Sequence, residues 1–160
     1  MTMPYYDSIN LIERLHRQFL DVLKVELERA GILDINNVQS MILHNIGTDE
    51  LTVGELTVRG YYLGSNVSYN VKKMVENDYL VQERSVHDKR SVRVKLSDKG
   101  RKLNEAIANL YKKHGERLVA AGLPNSRLES LNQVLRDLET FWGEQMGIGG
   151  LGMPSPQKNI

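Results

Sequence analysis

Between residues 64 and 96 the hydrophobic period of the chain switches from that of a helix to that of a strand. From Gly64 to Tyr79 the apolar side chains Val67, Val71, Met74 and Val75 are spaced four, three and one, which draws one stripe down a helix. Val81–Arg84 is then a short extended run, and Ser85–Arg90 a polar tip. From Ser91 to Leu96 the sequence alternates strictly, with Val92, Val94 and Leu96 on one face and Arg93 and Lys95 on the other. That is the period of a half-buried strand. Two such runs joined by a charged tip form a β-hairpin, so a helix over 64–78 feeds a hairpin over 81–96.

The face of that helix opposite the stripe carries Ser65, Asn66, Ser68 and Tyr69, with Lys72 and Lys73 one turn later. Short donors and acceptors at the leading end suit the base edges of a DNA major groove, and cations behind them suit phosphates. A surface helix that is merely polar at its start would read the same way; the basic hairpin that follows favours DNA. Net charge is only +1, but it is unevenly distributed. Arg59–Lys102 holds 11 Lys and Arg against 5 Asp and Glu, whereas the rest of the chain holds 10 against 15. A segregated basic segment is what phosphate contact requires, and an acidic remainder does not cancel it locally.

A helix-turn-helix followed directly by a basic hairpin is a winged helix. Glu55-Leu56 opens the first helix of the motif and Ser65-Asn66-Val67-Ser68 the second. Asp88-Lys89-Arg90 leads into a strand ending Leu96-Ser97, with Gly100 beyond. On these residues the chain resembles the MarR-type winged helix-turn-helix transcriptional regulators, over roughly residues 8–146. The resemblance implies a mainly α fold with a small β-hairpin wing and dimerisation helices at both ends. It implies a dimeric, sequence-specific and ligand-responsive regulator that reads a pseudo-palindromic double-stranded DNA operator. The 64–78 helix would enter the major groove and the 81–96 wing the minor groove. On the wing it implies Arg90 as the groove reader, supported by Lys89, Arg93 and Arg84, with Asp88 orienting Arg90 through a charge-assisted hydrogen bond. It also implies a small aromatic or anionic effector, for which Phe19, Met41, Tyr61 and Tyr62 are the pocket candidates. One stretch departs from the family. Where relatives commonly read Leu-Gly-Leu-Ser, this chain reads Gly60-Tyr61-Tyr62-Leu63-Gly64-Ser65. The two tyrosines are open to three roles: filling the core gap, touching phosphates, or lining the effector pocket.

The flanks read as helices. Ser8 and Gly31 are the expected ends of a first helix whose main stripe is Ile12, Leu15, Phe19, Val22, Leu23, Leu27 and Ala30. Ile9, Leu11, Leu20 and Val25 lie beyond that stripe, a surplus most simply buried against a second subunit. Asn36 or Asn37 caps a second helix, Thr52 and Glu55 form a capping box for a third, and Ser97 caps a long helix after the wing. Ser126 and Glu129 read as a capping box for the last helix, whose Leu128, Leu131, Leu135, Leu138 and Trp142 form a seam for another helix. Leu11, Leu20, Leu131, Leu135, Leu138 and Trp142 are therefore the expected homodimer contacts. Dimerisation also suits two half-sites about 34–36 Å apart. The expected organisation is an N-terminal helix over 1–35, the winged helix-turn-helix over 36–100, C-terminal dimerisation helices over 101–146 and a flexible tail over 147–160.

Other chemistries find little support. There is no cysteine, which excludes disulfides and thiolate sites. No Gly-x-Ser-x-Gly elbow, phosphate loop or His-Glu-x-x-His stands in the sequence, and His16, His44, His87 and His114 are dispersed. Neither enzymatic activity nor a cofactor or metal is expected. No export signal or long apolar run is apparent, so the expected location is cytoplasmic, away from any membrane. The rival function is a winged-helix protein-interaction module without DNA binding. Steep salt dependence of binding to random duplex would separate the two.

Overall fold

The structure, a computed structural model, describes residues 3–84, 86 and 91–147. It divides into two compact units, Met1–Glu105 and Ala106–Ile160. Among the described residues there are six helices and a three-stranded antiparallel sheet.

Helix α1 (Pro4–Arg29) starts four residues before Ser8, because Pro4 stands at its first turn with its φ already helical and no N–H to satisfy. Ser8 lies inside the helix and its Oγ donates to the Pro4 carbonyl at 3.0 Å. The expected end holds: Gly31 takes φ +71°, Gly31 N–H bonds to Glu28 O and Ile32 N–H to Leu27 O. Those two bonds close a Schellman motif. Asn36 caps α2 (Asn37–Ile46) in a reciprocal box with Gln39, while Asn37 Nδ2 donates to the Leu20 carbonyl of α1 at 3.0 Å. Ile42, Leu43 and Ile46 of α2 are buried with Leu23 and Leu27 of α1.

Thr52 and Glu55 cap α3 (Val53–Gly60) as expected. The helix-turn-helix is completed by α4 (Gly64–Glu76), which ends two residues short of the expected 78. Asp78 there adopts φ +62° and Tyr79 N–H returns to Met74 O, closing the helix in the way glycine does elsewhere. The wing follows as β2 (Leu80–Arg84) and β3 (Val92–Leu96), paired antiparallel with Leu80 opposite Leu96 and Arg84 opposite Val92. Val94 and Leu96 are buried, Val92 is half-buried and Arg93 is exposed, as the alternation requires.

A third strand, β1 (Leu51–Thr52), adds to the far edge of β3 and gives the order β1-β3-β2. Two residues are too few to show alternation, so the sequence carries no strand signal there. The first unit closes on Leu56, Val67, Val71, Met74, Tyr79, Leu80, Val94 and Leu96, all buried.

Ser97 caps α5 (Asp98–Ala120), its Oγ accepting from Gly100 N–H at 3.0 Å and donating to the Asp78 carbonyl. In the second unit, α6 (Asn125–Gln145) begins directly after Pro124, whose carbonyl accepts from Arg127 and Leu128. Ser126 therefore sits within the first turn and forms no capping box with Glu129. The extended Pro124 (φ −73°, ψ 157°) has taken the N-cap position. No residue of α6 is buried in the single chain. Of the expected tail only Gly147 falls within the described residues.

Candidate nucleic-acid interface

Helix α4 is divided as its stripe predicts. Val67, Val71 and Met74 are buried, whereas Ser65, Asn66, Ser68, Tyr69 and Lys72 are exposed and Lys73 is half-exposed. Leu63 precedes the helix in an extended conformation and supplies no side-chain cap. The first-turn N–H groups of α4 thus join its hydroxyls and amides on the solvent side, where the helix dipole favours an anion.

The unusual turn before α4 places the two tyrosines differently. Tyr61 takes φ +54°, and the bonds Tyr61 N–H to Val58 O and Tyr62 N–H to Thr57 O close α3 around it. Its side chain is exposed. Tyr62 folds back, half-buried, so that a Cβ on Gly60 would overlap its ring. The absence of a side chain at Gly60 leaves room for that ring. The Tyr62 hydroxyl accepts from Asn45 Nδ2, and burial pushes the phenol pKa up. Tyr62 therefore packs into the turn, whereas Tyr61 is exposed.

The basic segment is less free than its count suggests. Lys95 pairs with Glu83 at 2.8 Å and Glu50 at 3.7 Å, a ladder across the sheet in which Glu83 first and Glu50 second hold the ammonium charged. Arg59 pairs with Asp49 at 2.7 Å and donates to the Asn45 carbonyl, and Arg101 pairs with Asp98. Lys73 pairs with Glu76 at 3.3 Å and lies 5.8 Å from the Tyr69 ring centre. Among the described residues Lys72, Arg84 and Arg93 make no ion pair, and all three are exposed. The candidates Asp88, Lys89 and Arg90 lie outside the described residues.

Two polar assemblies escaped the periodicity argument. Asp34 Oδ1 accepts from the Tyr79 hydroxyl at 2.5 Å and Oδ2 from Lys99 Nζ at 2.5 Å. Lys99 also donates to Asn77 O and lies 4.3 Å from the Tyr79 ring centre, while Asn77 Nδ2 donates to Asp34 O. Lys99 first and Tyr79 second hold the Asp34 carboxyl below the usual range, and burial with Asp34 pushes the Tyr79 phenol up. This clasp joins the loop before α2, the end of α4, the base of the wing and the start of α5. The second assembly is a buried amide pair, Gln39 and Asn70. Its signal was present in the sequence: Asn36-x-x-Gln39 is a capping box, and Asn70 interrupts the apolar stripe between Val67 and Val71.

Of the effector candidates, Phe19, Met41 and Tyr62 are half-buried and Tyr61 is exposed. Of the dimer candidates, Leu11, Leu131 and Leu135 are exposed, while Leu20, Leu138 and Trp142 are half-buried. Among the described residues no His/Asp/Glu cluster could hold a metal and no helix is long and apolar enough to cross a membrane.

A helix-turn-helix whose second helix turns a polar face outward, followed by a hairpin with uncommitted arginines, defines a winged-helix DNA-binding protein. Residues 33–91 match the model of the MarR family. The chain is 39% identical over 147 residues to the exopolysaccharide II synthesis transcriptional activator ExpG of Rhizobium meliloti (strain 1021), covering 92% of this chain and 76% of that one. It belongs to the MarR family of transcriptional regulators. The fold is shared with Streptococcus pneumoniae FabT solved in complex with DNA (TM-score 0.73, 18% identity, 88% of this chain and 99% of that one). It is shared also with Staphylococcus aureus MarR in complex with salicylate and kanamycin (TM-score 0.70, 22% identity, 86% and 91% of the two chains).

Proposed function

We propose that this regulator works as a homodimer on a pseudo-palindromic operator, setting the start of α4 into the major groove and the wing into the minor groove. The observation that carries the reading is the outward face of α4, where Ser65, Asn66, Ser68 and Tyr69 stand exposed opposite a buried stripe, with Lys72 uncommitted behind them. Asn66 has the two-pronged amide that suits adenine, and the hydroxyls of Ser65 and Ser68 serve base or phosphate. Lys72, Lys73, Arg84 and Arg93 meet phosphates; Lys73 exchanges its exposed pairing with Glu76 for one, at little cost since such pairs are worth about 0–1 kcal/mol. Arg90, oriented by Asp88 and flanked by Lys89, enters the minor groove, where a narrow A·T-rich tract attracts a guanidinium. The DNA complex of FabT supports this placement by likeness of fold.

Dimerisation rests on the exposed apolar side chains of α1 and α6, Leu11, Leu131 and Leu135 among them, which a second copy would cover. With Leu20, Leu138 and Trp142 they form the proposed contact. Response to a small aromatic or anionic effector, met by Phe19, Met41, Tyr61 or Tyr62, is supported by the salicylate bound to S. aureus MarR.

Duplexes enriched from a randomised pool by the wild-type protein provide the test. Asn66→Ala or Ser68→Ala should cost about 1–3 kcal/mol on the enriched sequence and little on random duplex. Equal loss on both would refute base readout. A monomer in sedimentation, or an enriched sequence lacking two-fold symmetry, would refute the dimeric reading.

A further inference from the structure

We propose that Gln39 and Asn70 are positioning residues for base readout: a buried amide relay from the cap of α2 that fixes the rotation of α4 about its own axis. The proposal rests on the reading of the α4 start as the base-contacting element. Gln39 Oε1 accepts from Asn36 N–H at 3.2 Å, and Gln39 Nε2 donates to Asn70 Oδ1 at 3.2 Å. Asn70 Nδ2 then donates to the carbonyl of Asn66 at 2.9 Å. The relay therefore runs from a backbone donor at the start of α2 to a backbone acceptor at the residue proposed to read a base.

Both amides are directed. Turning either one over would set oxygen against oxygen at one end and leave a donor unmet at the other. Both residues are over nine-tenths buried, Gln39 being 7% and Asn70 9% exposed, so water cannot easily repair a mismatch. The neighbouring contacts of α4 are of another kind. Val67, Val71 and Met74 bury area without direction, and such packing tolerates a small roll of one helix on another. A leucine at position 70 would supply contact of the same undirected kind. What an asparagine adds is angular definition, and recognition needs its groups held within about 0.5 Å and 10–20°.

Two variants break the relay differently. Asn70→Leu removes it while keeping the same side-chain branching. Gln39→Glu keeps an acceptor for Asn36 N–H, and so the cap of α2, but turns a carboxylate oxygen towards Asn70 Oδ1. Binding is measured by fluorescence anisotropy on the duplex enriched by the wild-type protein and on random duplex, together with the unfolding midpoint. For each variant the ratio of the two affinities should fall about tenfold, the scale of one base contact. Affinity for random duplex and its salt dependence should stay at the wild-type level. In an Asn66→Ala background, Asn70→Leu should lower the ratio by much less than it does alone.

An unchanged ratio in both variants overturns the proposal. So does a loss on enriched and random duplex alike that follows the loss of folded protein, which is what a purely structural role would give. Should Asn70→Leu not fold, Gln39→Glu decides by the same criteria. If Asn66→Ala leaves the ratio unchanged while the relay variants lower it, Asn66 is not a base reader and the positioning role stands for its neighbours. If none of the three alters the ratio, both readings fall.

Discussion

Removing one oxygen tests the clasp at the base of the wing. Tyr79 is 3% exposed, so Tyr79→Phe keeps the buried ring and deletes only the hydroxyl that donates to Asp34 at 2.5 Å. A hydrogen bond to a charged partner is worth about 1.5–3 kcal/mol when water is excluded. The Asp34 side chain is 48% exposed and keeps Lys99, so solvent replaces part of the loss, leaving a cost of about 1 kcal/mol. For a chain of this length that lowers the unfolding midpoint by roughly 2–4 °C, measurable by circular dichroism or calorimetry. The pH dependence is the sharper test. Asp34 is depressed in the folded state by Lys99 and Tyr79, so the stability it contributes is present above its unfolded pKa and is lost as pH falls through the folded value. Tyr79 is shifted upward by burial and by Asp34, so its contribution is full below the unfolded phenol value and is lost as pH rises beyond it. The gap between wild type and Tyr79→Phe should be flat from about pH 5 to 9, shrink above about pH 10, and shrink on the acid side as Asp34 takes up its proton in the folded state. No gap at pH 7, or one that stays unchanged as the pH rises well above about 10, would refute the argument.

Lys72→Ala and Arg93→Ala should each weaken binding to random duplex and lower the slope of log K against log salt by about one, whereas Lys95→Ala should change the slope less, because Lys95 is held between Glu83 and Glu50; equal slopes for all three would contradict the division between committed and uncommitted cations. Gly100→Ala should destabilise by about 1–3 kcal/mol in urea titration, because a Cβ there would overlap the backbone carbonyl of Tyr79 that Ser97 N–H already engages. A neutral result would mean that α5 starts further from the wing than this contact requires.

Much of the fold was legible because it obeys a period. The α4 stripe and the alternation of β3 are each long enough to be unambiguous, and the caps at Asn36, Thr52 and Ser97 are local hydrogen-bonding rules that the chain obeys. Misreadings arose where two local signals competed. At Ser8 and Ser126 a side chain able to cap was present, but a nearby proline, Pro4 within the first turn and Pro124 at the cap itself, set the helix start instead. The end of α4 was placed two residues late for the opposite reason. Tyr61 and Asp78 hold the left-handed conformation usually assigned to glycine, and nothing in a single sequence marks a tyrosine for that role.

The candidate site was legible only on its outer face. Exposed Ser65, Asn66, Ser68 and Lys72 announce themselves because polar groups opposite a stripe have one plausible destination, water or a partner. What holds that face in place is polar and inward, and hydrophobic patterning treats such residues as interruptions. Asn70 looks like a flaw in the stripe, Gln39 like a routine cap, and Asp34 like a loop residue. Each instead finds its partner across 31 to 65 positions of chain, from Gln39–Asn70 to Asp34–Lys99. Charge counting fails in the same way. Lys95 and Lys99 swell the basic total, but one bridges the sheet and the other closes the clasp. The Gly100 of the wing signature shows the converse, a residue recognisable from sequence whose reason is purely spatial: only a glycine lets α5 begin against the Tyr79 carbonyl. Contacts of this kind depend on where the backbone goes. A polar residue at an apolar position, or a glycine just inside a helix start, is therefore the place to look first for what orients a recognition helix.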